Sequence, residues 1–297
     1  MIDIDQHTIT QAVLAAQLAS PSPRLARVMT SLVRHLHDFA REIELTEEEW
    51  FEGIRFLTRA GHITDDKRQE FILLSDVLGL STLVTAQNNV KPPGCTEATV
   101  FGPFFVEGAP RVALGADIAN GAKGTPCEVS GQVRSLDGQP VAGAVIDVWQ
   151  SDEDGTYDVQ RAPGNAPQAR AQLLSDEDGR YRFRSILAHC YPIPHDGPVG
   201  DLLRGLGRHP WRPAHLHFKI EAPGYERLIT HVFRDDDPYL ESDAVFGVRS
   251  SLLAKWARRP EHGGASECYE LLFDFVLNPL PKPATRDGQG GATTEAR

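Results

Sequence analysis

His215-Leu216-His217 and Tyr191 are the residues of this chain best suited to chemistry. The histidines stand two apart in Arg212-Pro213-Ala214-His215-Leu216-His217-Phe218, which reads as a strand, so both imidazoles share a face and can reach one ion. Tyr191 opens Tyr191-Pro192-Ile193-Pro194-His195-Asp196-Gly197-Pro198-Val199-Gly200. Each proline there fixes its own φ and biases its predecessor towards extended geometry, giving a loop stiff enough to hold a phenol at a metal. A second phenol can come from a short repeat. Ser151-Asp152-Glu153-Asp154-Gly155 and Ser175-Asp176-Glu177-Asp178-Gly179 are each followed two residues later by a tyrosine, Tyr157 and Tyr181. Spacing does not choose between them, although Tyr181 falls in an alternating strand, where a core or face position is expected.

Two neutral imidazoles, two ionised phenols and one hydroxide bring the charge around Fe³⁺ to about zero, the balance a partly dry pocket needs. A phenol ionises near pH ~10, but a directly coordinated cation favours the anion strongly enough to deprotonate it. Zinc also accepts histidine, but it usually recruits cysteine or carboxylate as well. The acidic residues near the pair, Glu221 and Asp235 to Asp237, fall in apparent turns. Without a metal, His-x-His is an ordinary pair on a half-buried face. The acidic repeat suggests calcium, but neither copy continues to the glutamate that a calcium loop requires, so two turns are expected.

The elements around these residues change character along the chain. Leu25, Val28, Met29, Leu32, Val33, Leu36, Phe39 and Ile43 recur at three- and four-residue steps and predict one long amphipathic helix. Thr46 and Glu49 predict a capping box for a second helix through Trp50, Ile54 and Leu57. Thr64 or Asp65 is expected to cap a third, running through Phe71, Leu74 and Leu78. Lys91-Pro92-Pro93-Gly94 ends the helical pattern. From Pro126 the period becomes two, as in Arg180-Tyr181-Arg182-Phe183-Arg184 and His215 to Ile220, with Asp-Gly and Pro-Gly turns that indicate a β-sandwich.

The formal charge of -11 argues against nucleic acid as a partner. No apolar run approaches the ~20 residues of a membrane span. The N-terminus lacks the basic start of a secretory signal. Cys95, Cys127, Cys190 and Cys268 are scattered without paired spacing, which predicts reduced thiols in a cytoplasm.

Asp76 interrupts the apolar run Phe71-Ile72-Leu73-Leu74-Ser75-Asp76-Val77-Leu78 and shares a helix face with Leu73. It is either a solvated helix-end residue or a buried carboxylate that needs a partner.

With these motifs in hand, the chain resembles the intradiol ring-cleavage dioxygenases, the catechol 1,2-dioxygenase family, from its first helices to about Pro279. The resemblance implies an α+β fold in which an all-helical dimerisation domain (1–90) precedes an antiparallel β-sandwich catalytic domain (125–280). A linker (91–124) would contribute to the substrate pocket, and a disordered tail (281–297) would follow. It implies Fe³⁺ on Tyr157, Tyr191, His215 and His217, with Tyr157 matching the family's first ligand position. Tyr191 is then the tyrosinate that leaves the metal and takes up a substrate proton, and Arg212 the arginine that stabilises charge on the attacked ring. His231 sits where many members carry glutamine near the metal, and both a core role and a supporting role are open.

The pocket residues resemble those of the branch that cleaves hydroxyquinol, 1,2,4-trihydroxybenzene. Leu73 and Asp76 would form one wall, Val100, Phe101, Gly102, Pro103 and Phe104 another, and Ile193, Pro194 and Val245 a third, with Arg212 at the ring. Expected partners are a small aromatic diol or triol and O₂. A homodimer through the helices is implied, with lipid in an apolar tunnel at its interface. Two other readings compete: a catechol or chlorocatechol dioxygenase, and a non-enzymatic carrier, since Gly131 to Trp149 also resembles transthyretin-like sandwiches. The carrier does not account for the four ligands.

Overall fold

The computed structural model describes residues 2–65, 68–161, 166–259 and 267–281; the tail expected from 281 lies outside them from 282 onward. The chain forms two compact units, one ending at His62 and the other beginning at Ile63.

In the first unit are α1 (Ile9–Gln17), α2 (Pro23–Glu42) and α3 (Glu47–Ile63), whose last residue crosses the boundary. Ser22 caps α2 by accepting the Leu25 N–H, and Pro23 supplies a fixed φ at the first helical position. The Thr46–Glu49 capping box forms: the Thr46 N–H donates to Glu49 Oε2 at 3.0 Å and the Glu49 N–H to Thr46 Oγ1 at 3.2 Å. Leu25, Val28, Leu32, Leu36 and Phe39 of α2 and its C-cap residue Ile43 are all exposed, while Val33 is buried.

The second unit opens with α4 (Glu70–Val77) and α5 (Leu80–Asn88). Thr64 and Asp65 do not cap α4, which opens at Glu70. The helix also stops earlier than the apolar run suggests. Gly79 adopts φ 73°, the left-handed conformation that ends a helix, and α5 leaves at 79° to α4. Glu70, Leu73, Asp76 and Val77 are the buried face of α4.

Strands follow: β1 (Pro126–Ser135), β2 (Val145–Trp149), β3 (Arg170–Leu174), β4 (Arg180–Ile186) and β5 (Tyr191–Pro192). After α6 (Pro198–Gly205) come β6 (Trp211–Arg212), β7 (His215–Glu221), β8 (Leu228–Arg234), β9 (Leu253–Ala254), β10 (Trp256–Arg259), β11 (Cys268–Leu272) and β12 (Phe275–Leu277). One sheet runs β3-β2-β7-β8-β9; the other is built on β1, which pairs with β4, β11 and β12. Between them lie Val129, Val133, Ile146, Leu173, Phe183, Leu216, Phe218, Leu271 and Phe275. Tyr181 belongs to this core, its hydroxyl donating to the Phe273 carbonyl at 2.7 Å.

The sandwich is mixed, which corrects the antiparallel expectation. β1 runs parallel to β11 (Cys127 opposite Tyr269) and to β12 (Val133 opposite Phe275), and β8 runs parallel to β9. Parallel neighbours need a long connection, and here the rest of the domain lies between β1 and β11. Alternation reports a strand but not its partner's direction.

Candidate metal centre and substrate cavity

Four donor atoms converge where β2, β7, the β5–β6 ribbon and the turn before Tyr157 meet. Tyr157 Oη lies 2.8 Å from His217 Nε2 and 3.0 Å from Tyr191 Oη. Tyr191 Oη is 3.5 Å from His215 Nε2, which is 3.2 Å from His217 Nε2, closing the ring.

Local structure holds each donor. His215 and His217 share a face of β7, as the two-residue spacing requires. His215 Nδ1 lies 2.7 Å from the Pro213 carbonyl, an acceptor, so Nδ1 carries the proton and Nε2 keeps its lone pair. The His217 ring stacks on Trp149, its partner across β2 and β7, at 4.7 Å. Tyr191 pairs with Arg212 in the β5–β6 ribbon, and the rigid loop is shorter than its sequence suggests because α6 begins at Pro198. Gly155, at φ 79°, brings the Asp152 turn so close to Tyr191 that a Cβ there would stand 2.6 Å from the Tyr191 Cβ. Phe104 stacks on Tyr157 at 4.4 Å, and Arg170 fixes its carbonyl while pairing with Asp158.

The electrostatics suit a metal. Burial lowers the pKa of His215 to about 3, with Arg212 adding to the effect, and pushes His217 well below the usual imidazole range. Both rings are therefore neutral donors at ordinary pH. Burial also pushes Tyr157 and Tyr191 above the usual phenol value, so ionising them takes a cation in direct contact. Two neutral nitrogens beside two phenols that need a cation are a donor set fitted to a hard, highly charged metal.

His231 also brings a nitrogen near this cluster, within 4.8 Å of the other two histidines. Its Nε2 faces the other side of the His217 ring, 2.7 Å from Nδ1, and its Nδ1 is 3.1 Å from Thr99 Oγ1. His231 thus meets the edge of the His217 ring opposite Nε2 and lies outside the ring of four donor atoms.

Arg212 is buried. Burial opposes its charge, but Asp243, followed by Tyr191, raises its pKa above the ordinary guanidinium value. Arg212 Nε and Nη2 donate to Asp243 Oδ1 and Oδ2 at 3.1 and 3.3 Å, and Nη1 lies 3.3 Å from His215 Nε2. The Asp243 carboxylate also accepts the Val245 and Gly247 N–H groups.

A cavity of about 500 Å³ opens at Tyr191. Its lining includes Leu73, Asp76, Pro103, Phe104, Ile193 and Pro194. The remaining sequence candidates lie off this surface. Phe101 packs edge-on to Trp149, Gly102 approaches His217, and Val100 and Val245 are buried. Burial raises the Asp76 pKa, while the Ser81 hydroxyl and Arg212 act in the opposite sense. Sequence reasoning missed Asp243, Thr99 and the Trp149 stack. Trp149 closes an expected strand and could have been found; Asp243 sits in a loop with no local pattern to mark it.

Residues 100–279 match the family described as Dioxygenase, and residues 22–96 match Catechol dioxygenase N terminus. With the α+β fold and the Tyr/His cluster, these matches define a ring-cleaving oxygenase. The chain belongs to the intradiol ring-cleavage dioxygenases, oxidoreductases that open dihydroxylated aromatic rings. It is 63% identical over 279 residues to a 6-chlorohydroxyquinol 1,2-dioxygenase of Cupriavidus pinatubonensis, covering 94% of this chain and 99% of that one. It is 53% identical over 281 residues to a hydroxyquinol 1,2-dioxygenase of Nocardioides simplex, covering 92% and 96%. The solved hydroxyquinol 1,2-dioxygenase of Pseudomonas putida DLL-E4 superposes with a TM-score of 0.87 at 49% identity, covering 93% of this chain and 99% of that one.

Proposed function

We propose that this chain cleaves hydroxyquinol between its two adjacent hydroxyls, adding both atoms of O₂ to give 3-hydroxy-cis,cis-muconate, a tautomer of maleylacetate. The observation that carries the substrate is Asp76, a buried carboxylate beside Leu73 in the cavity that Tyr191 also lines. The names of the similar dioxygenases support the same substrate class.

Tyr157, Tyr191, His215 and His217 would hold Fe³⁺. When bound, the ion acts as a Lewis acid that makes the diol's ring electron distribution ketone-like and open to O₂. Tyr191 is the phenol at the cavity surface, so its Oη, once ionised, is placed to accept a proton from the entering diol. Tyr157 is sealed behind Phe104 and stays where it is. Arg212, kept cationic by Asp243, stabilises negative charge developing on the ring. Asp76 accepts a hydrogen bond from the third hydroxyl, while Leu73, Ile193 and Pro194 enclose the ring's apolar surface.

The test is kcat/KM on hydroxyquinol and on catechol, with the product identified. A hydrogen bond to a charged acceptor is worth roughly 1.5–3 kcal/mol, about one to two orders of magnitude in preference for hydroxyquinol. Equal rates, or preference for catechol, would overturn the substrate assignment.

The uncovered stripe of α2 supports a homodimer through the N-terminal helices, with lipid filling the apolar seam. Sedimentation of the intact protein as a monomer would contradict the dimer; organic extraction yielding no lipid would remove the second element. The four unpaired cysteines support a reducing cytoplasm. Among the described residues no single helix is long and apolar enough to cross a membrane.

A further inference from the structure

Glu70 is the most buried charged side chain of the cavity lining, and ring chemistry makes no use of it. Its side chain is 0% exposed. One oxygen, Oε1, accepts the Val199 N–H in the first turn of α6 at 3.0 Å, a favourable end of a helix for an anion. The other, Oε2, accepts Arg68 Nε and Nη2 at 3.2 and 3.1 Å. Arg68 continues outward, with Nη1 and Nη2 donating to the two Asp196 oxygens at 2.9 and 2.8 Å. Gly197 leaves space for this arrangement: a Cβ there would come within 2.7 Å of both Arg68 Nη2 and Glu70 Oε1.

These bonds join two walls of one cavity. Glu70 begins α4 and shares its buried face with Leu73 and Asp76. A helix rises 1.5 Å per residue, so Asp76 lies about 9 Å along a stiff rod from the Glu70 anchor. Asp196 and Val199 flank the end of the segment that carries Tyr191, Ile193 and Pro194. A shift at the anchor is therefore transmitted to the spacing between Asp76 and the Tyr191 wall.

We propose that Glu70, through Arg68 and the first turn of α6, is a positioning residue for substrate selection: it sets the distance at which Asp76 and Leu73 face the ring held at Tyr191. The inference rests on the hydroxyquinol reading, and its test separates the two. Exposed Asp196 contributes least, because a solvated ion pair is weak.

The experiment measures kcat and KM on hydroxyquinol and catechol, with metal content, for wild type, Glu70→Ala, Glu70→Gln, Arg68→Met and Asp196→Asn. Glu70→Ala should raise the KM for hydroxyquinol about tenfold while retaining metal, collapsing the hydroxyquinol-to-catechol ratio, on the scale of one charge-assisted hydrogen bond. Glu70→Gln, which can still accept the Val199 N–H, should fall between. Arg68→Met should move the ratio the same way by less, and Asp196→Asn by under about twofold. Combining Arg68→Met with Glu70→Gln should add little, because the two act as one unit. If Glu70→Ala is insoluble, Arg68→Met and Glu70→Gln decide the matter. A wild-type enzyme without a hydroxyquinol preference overturns the substrate reading. A wild type with that preference, and variants that keep its ratio or lose both substrates equally, overturns the positioning role.

Discussion

Around the donor cluster, each ring is held by neighbours that leave it little freedom: Pro213 and Arg212 on His215, Trp149 and His231 on His217, Phe104 on Tyr157, Gly155 on Tyr191. On the α4 wall the buried helix face carries two carboxylates: Glu70, paired with Arg68 and the Val199 N–H, and Asp76, whose burial works against its own charge. The first region packs a neighbour against each donor ring. The second keeps a polar group at a local energetic disadvantage, which the Ser81 hydroxyl and Arg212 offset only in part and which, in the proposed reading, the third hydroxyl of hydroxyquinol would relieve further. In that reading reactivity and selectivity reside in separable groups, and substitutions should divide them.

The largest effect is expected at Tyr157. Tyr157→Phe removes an anionic donor from a sealed position, so turnover should be lost and most of the visible absorption with it. Assay together with the absorption spectrum checks this; a coloured, active variant would break the distinction at its strongest point. Arg212→Ala should keep metal and colour but lose on the order of 10²-fold in kcat, the scale for one preorganised electrostatic group. Loss of metal in that variant would instead assign Arg212 to holding His215.

Asp76→Asn should do the reverse, sparing turnover on catechol while removing the preference for hydroxyquinol. It should also raise Tm at neutral pH. The folded-state pKa of Asp76 is raised, so its titration favours the fold fully below the unfolded carboxylate pKa, and that contribution disappears as pH rises through the folded value. The Tm advantage of the variant should accordingly shrink as the pH is lowered into the carboxylate range. An unchanged Tm across that range would return Asp76 to the solvated helix-end reading.

The two regions also differed in how far the sequence disclosed them. His215 and His217 were readable because a period of two puts both on one face of β7. Tyr157 and Tyr181 follow the same acidic motif, and pairing tells them apart: Tyr181 lies opposite Gly131 in β4 and bonds the Phe273 carbonyl, whereas Tyr157 precedes a 3₁₀ turn. No spacing rule encodes that difference. Asp243 was invisible because its partner, Arg212, is 31 residues away. The parallel pairing of β1 with β11 was equally hidden, since a strand's alternation is the same in either direction. Asp76 stood out as a charge in an apolar run, but the break at Gly79 and the Glu70 anchor required the fold.

In the proposed reading Tyr157, Tyr191, His215 and His217 together hold ferric iron at the cavity. Metal analysis combined with visible spectroscopy of the purified protein tests it most directly. About one iron per chain is expected, with a broad tyrosinate-to-iron band that shifts when hydroxyquinol is added without O₂. A colourless, zinc-loaded protein with full ring-cleaving activity would contradict it.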